Sequence, residues 1–96
     1  MNSVCLSGTL GKEVQIVEIQ DGVRVLNNTI KVIRPRSDKF DWINVVCYEE
    51  TAEYFAENFR QNDYVVIQGT LKTRSWIVGE ERRYLTEVLV WQIEKG

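Results

Sequence analysis

Apolar and polar residues alternate with a period of two along most of the chain, which marks strands with one buried face. From Asn2 to Leu10, Val4, Leu6 and Leu10 fall on one side, and Ser3, Ser7 and Thr9 fall on the other. A run from Glu13 to Ile19 leads into Gln20-Asp21-Gly22 and then into Val23 to Ile33, rich in Val, Ile, Thr and Leu. Asp-Gly between two such runs predicts a hairpin. Its long second arm turns Leu26, Ile30 and Val32 inward and leaves Asn27, Thr29 and Lys31 outward. Arg34 to Lys39 is a polar, basic turn around the only proline. Trp42 to Tyr48 follows as a strand, with Ile43, Val45 and Cys47 on one face and Trp42, Asn44, Val46 and Tyr48 on the other.

The period then changes. Ala52, Phe55, Ala56 and Phe59 repeat at the spacing of an amphipathic helix, with Glu49 and Glu50 near its positive end. Gln61-Asn62-Asp63 ends it, and Tyr64 to Trp76 reads as a long strand. Val65, Ile67, Gly69 and Leu71 share one face of that strand; Val66, Gln68, Thr70, Lys72, Arg74 and Trp76 share the other. Gly79-Glu80-Glu81 predicts a turn into a last strand, Arg82 to Ile93. With Val23–Ile33 as the second strand, the order is three strands, one helix and two strands. That is the order of the OB-fold, an all-β, five-stranded Greek-key barrel with a helix between strands 3 and 4.

Ninety-six residues are expected to form a single domain, 1–96, and 44% hydrophobic with 27% charged residues is the balance of a chain that folds. No stretch approaches the roughly 20 apolar residues of a membrane span, and the start lacks a signal-peptide pattern, so a cytoplasmic location is expected. With no histidine and only Cys5 and Cys47, the chain lacks the usual zinc ligand set and any His-based acid/base chemistry. A binding protein without metal or cofactor is expected, rather than an enzyme. The two cysteines read as reduced, small apolar side chains. Net charge is -2, yet Glu49, Glu50, Glu53 and Glu57 gather on the helix and its entry, and the residues outside 49–59 carry twelve Lys and Arg against ten Asp and Glu.

Single-strand binding needs exposed aromatic planes for bases and cations for phosphates on one surface. Trp42 and Tyr48 share an outward face about 20 Å apart at 3.3 Å per residue. Lys72, Arg74 and Trp76 share the polar face of the next strand. Arg34, Arg36 and Lys39 in one loop, and Arg82 and Arg83 beside another, are placed to rim such a groove, and Lys31 on the outward face of the second strand is a further candidate for the DNA backbone. Trp91 reads as core or interface.

The chain resembles the bacterial and phage single-stranded DNA-binding proteins from Asn2 to about Glu94. The resemblance is carried by Asn2, Val4, Leu6, Gly8 and Leu10; by Gly22-Val23 with Asn27, Thr29, Arg34 and Pro35; by Trp42-Ile43-Asn44-Val45-Val46 with Ala52-Glu53; and by Gly69 to Trp76 followed by Tyr84-Leu85-Thr86-Glu87-Val88. It implies base stacking on Trp42, Tyr48 and Trp76, backbone contacts from Lys72 and Arg74, and a role in DNA replication, recombination and repair. It also implies subunit pairing through the small-residue face of the first strand, Ser3, Cys5 and Ser7, in a homotetramer or a dimer. The sequence departs from the family at Asn28, where an apolar or aromatic residue is common, and in a short loop where Phe40 is the nearest aromatic. It ends at Gln92-Ile93-Glu94-Lys95-Gly96 with neither linker nor acidic tip, so tail-mediated recruitment of replication proteins is not expected. Two other readings stay open: a primosome-type accessory dimer, and an OB-fold whose exposed aromatics serve protein association alone.

Overall fold

The computed structural model describes all residues from Met1 to Gly96. Its elements are β1 (Val4–Leu10), β2 (Val17–Glu18), β3 (Arg24–Ile33), β4 (Phe40–Tyr48), α1 (Glu49–Asn58), β5 (Tyr64–Val78) and β6 (Glu81–Lys95). Strand order β1-β5-β6-β4-β3 is closed by a β1–β3 pairing at Thr9↔Lys31 and Leu10↔Ile30, and β2 is a short addition at the outer edge of β3. All pairings are antiparallel except β4 with β6, where Val45 lies opposite Val88 and Val46 opposite Leu89. The result is a closed five-stranded barrel with α1 between its third and fourth strands, an OB-fold.

Inward residues of every barrel strand meet in one core, where Leu10, Leu26, Ile30, Val45, Ile67 and Val88 are fully buried. The helix stripe seals one end: Ala52, Phe55 and Phe59 are buried, and the two phenylalanine rings meet edge to face at 5.9 Å. α1 begins abruptly, with Glu49 at φ +50. That unfavourable backbone is held by Arg24, whose backbone N–H donates to Glu49 Oε1 at 3.0 Å and whose guanidinium donates to Oε2 at 2.8 Å. Arg24 also pairs with Glu53 on the next turn. No helix is long and apolar enough to cross a membrane.

Three expectations change in the folded chain. The run Glu13–Ile19 forms ladder bonds only at Val17 and Glu18. The Asn28 side chain explains part of this: its Oδ1 accepts from the Lys12 backbone N–H at 3.0 Å, and its Nδ2 donates to the Lys12 carbonyl at 3.1 Å. Both main-chain groups of Lys12 are therefore engaged by a buried amide, and Val14 and Ile16 pack on the core from a loop. Leu71, on the inward face by alternation, is exposed because β5 and β6 run past the barrel as a projecting hairpin. The turn of that hairpin is Gly79-Glu80, one residue shorter than expected, with Gly79 at φ +63 and Val78 opposite Glu81.

Candidate nucleic-acid interface

The parallel β4–β6 pairing makes one continuous outer surface of β3, β4, β6 and the outward residues of β5. Along β3 and β4, Lys31 lies opposite Trp42 and Ile33 opposite Phe40. Trp42 is 52% exposed, and Phe40 meets it edge to face with ring centroids 5.9 Å apart. Lys31 Nζ sits 4.4 Å from the centre of the Phe40 ring and makes no ion pair, which leaves its charge available. The inner edge of the Trp42 ring rests on Gly11, where a Cβ would collide with the ring and with Thr29 Oγ1. Trp42 is thereby braced on one side and open on the other, the form of a stacking platform.

A second group lies where the hairpin leaves the barrel. Tyr48 is half-buried, and Lys72 Nζ donates to its hydroxyl oxygen at 3.1 Å while lying 5.1 Å from its ring centre. Arg74 places its guanidinium carbon 5.3 Å from the centre of the Trp76 ring, and Trp76 is 40% exposed. Between them lies Glu87, only 3% exposed, whose Oε1 accepts from Arg74 Nε at 3.1 Å and stands 3.8 Å from Lys72 Nζ. Tyr48, Arg74 and Glu87 line a groove of about 240 Å³ together with Ile19, Val25, Asn27 and Val46. These side chains also explain why Val46, outward by alternation, is buried.

The remaining cations are unequal. Arg34 grips Asp41 with both arms, Nε to Oδ2 at 3.0 Å and Nη2 to Oδ1 at 2.8 Å. That hydrogen-bonded guanidinium holds the Asp41 carboxyl below its ordinary range, and Arg34 is raised in turn. Arg36 holds the left-handed position of the β3–β4 turn at φ +58 and has no ion-pair partner. Arg82 donates to Ser75 Oγ at 3.0 Å and Arg83 to Glu81 at 3.2 Å, both on the exposed hairpin. Of the expected cations, then, Lys31, Arg36, Lys39 and Arg82 are free of carboxylates, whereas Arg34, Lys72, Arg74 and Arg83 are not.

Glu87 is the residue that sequence reasoning did not single out. Its signal was the hairpin turn: a two-residue turn puts Lys72 opposite Glu87, and a three-residue turn moves the pairing by one place. Trp91 is also clarified. It is the extra residue of a bulge between Gly69↔Val90 and Gln68↔Gln92, which turns it toward α1, where it lines a groove with Tyr54, Glu50 and Glu94.

Away from this surface, Ser3, Cys5 and Ser7 are exposed along β1. Val4 to Gly8 pair with β5 on one edge and form no β3 ladder on the other. Cys47 belongs to the core, and burial pushes its thiol up to about 12, so it stays protonated and inert. A profile of the single-strand binding protein family matches residues 1–95.

Proposed function

This chain belongs to the single-strand binding protein family, and from that premise we propose that it binds single-stranded DNA without sequence preference by stacking bases on Trp42, Tyr48 and Trp76. The observation that carries this reading is that the three aromatics share one surface with cations beside them. Every base has a π-face, so stacking tolerates any sequence and contributes about 1–3 kcal/mol per base. Lys31, Arg36, Lys72 and Arg74 meet the phosphates, with Arg34, Arg82 and Arg83 at the rim. The acids of the helix repel the strand and keep it on the sheet surface. The role is binding and protection in DNA replication, recombination and repair, in the cytoplasm.

A second copy pairs along the open edge of β1 at Ser3, Cys5 and Ser7, where small side chains permit close approach, to build a homotetramer. Light scattering reads the assembly: a monomer would remove this part of the reading. For the binding itself, tryptophan fluorescence is titrated with oligo(dT) of increasing length and with duplex of equal length. Quenching by the single strand alone, above a threshold length, is the expected result; equal response to duplex, or none at low salt, would contradict it.

A further inference from the structure

Glu87 occupies an unusual place for an acid in a surface built to meet phosphates. It is nearly fully buried, it lies under the two hairpin cations, and each of those cations also touches one of the candidate stacking rings. A buried carboxylate requires compensation, and Arg74 and Lys72 supply it. The same contacts place Arg74 against Trp76 and Lys72 against Tyr48 before any ligand arrives. The cluster of two cations and one anion therefore presents one net positive charge where the sequence alone suggests two.

We propose that Glu87 is an internal competitor for the DNA phosphates: it holds Lys72 and Arg74 ready at the rings and is exchanged for phosphate when a strand binds, which weakens binding and makes it less sensitive to salt. This rests on the single-strand reading above and adds its regulation. The physical reason is ion exchange. A free lysine or arginine releases a condensed counterion from the strand when it meets a phosphate, and each such event steepens the log K against log[salt] slope by about 0.7 for single strands. A cation already paired with Glu87 must lose that partner first, so part of the gain is cancelled inside the protein. A strand held this way is released readily, as a removable coat requires.

The test is Glu87→Gln, which keeps the shape and an acceptor oxygen for Arg74 while removing the charge. Oligo(dT) affinity is measured by tryptophan quenching across a salt series for wild type and variant. The expected slope is steeper by about 0.7, so the ratio of variant to wild-type affinity grows roughly eightfold between about 1 M and 50 mM salt. In a Lys72→Gln/Arg74→Gln background the same change should leave the slope unaltered, because no cation remains to be freed. An unchanged or shallower slope in the single variant, or an equal steepening without the two cations, would overturn the proposal. Wild type that fails to bind at any salt would instead sink the single-strand reading itself. Should Glu87→Gln not fold, the Arg74 Nε–Hε resonance of wild type is followed by NMR through the titration. A shift as the strand saturates supports the exchange, and a resonance that stays in place overturns it.

Discussion

The Trp42 platform and the Tyr48–Trp76 cluster combine the same ingredients, an aromatic ring and a cation, in electrically different ways. At Trp42 the ring is braced from behind by Gly11, and the ammonium of the nearby Lys31 lies over the Phe40 ring with no ion pair. At Tyr48 and Trp76 the cations are tied to a buried acid and the rings stand where the hairpin leaves the barrel. The first group has a fixed ring and an available charge; the second has charges already partly compensated. Stacking energy should therefore concentrate at Trp42, whereas the hairpin group should supply contact area with less dependence on salt.

The largest test of that contrast is Trp42→Ala. Loss of a stacked base of about 1–3 kcal/mol predicts a roughly 5- to 150-fold weaker affinity for oligo(dT) by gel shift. Trp76→Ala should lie at the low end of that range; if it proves the more damaging, the ranking of the two groups is reversed. Gly11→Ala comes next, because its methyl must displace the Trp42 ring or the Thr29 side chain. The expected result is several-fold weaker binding, with far-ultraviolet circular dichroism preserved.

Charge changes should be smaller and visible mainly in the salt slope. Lys31→Gln should flatten it by about 0.7, one phosphate contact on a single strand. Replacing Arg34 and Asp41 together by Gln and Asn should leave it nearly unchanged, since that pair already satisfies itself. Equal flattening in both would remove the distinction between free and paired cations.

The smallest effect concerns stability rather than binding. The hydrogen bonds from Arg24 lower the Glu49 carboxyl below its ordinary value, so this pair stabilises the fold fully above the unfolded carboxylate value and loses that contribution as pH falls through the lowered one. Solvent screens it, and the effect is modest. Thermal melting of wild type and Arg24→Gln should differ at neutral pH and converge in acid; a gap that persists below the carboxylate range would point to packing instead.

Much of the barrel was legible because alternation is a local property. Leu26, Ile30, Val45, Cys47, Val65 and Ile67 are buried as their parity requires. The exposure of Trp42 and Trp76 was legible for the same reason. What escaped depends on which residues lie opposite one another. The one-residue difference in the Gly79-Glu80 turn hid the pairing of Glu87 with Lys72, and the bulge at Trp91 broke the alternation of β6. Asn28 shows the same limit: its amide binds the backbone of Lys12, sixteen positions earlier in the chain, and no periodicity encodes that contact. Alternation gives faces, whereas partners of the charged groups require register.

Ultraviolet cross-linking of oligo(dT) to the wild-type protein, with the attached residues read by peptide mass spectrometry, addresses the central claim most directly. Adducts at Trp42 and at Tyr48 or Trp76, suppressed by excess unlabelled single strand, are the predicted result. Adducts confined to Trp91 and Tyr54 would place the strand in the groove beside the acidic helix instead and contradict the account.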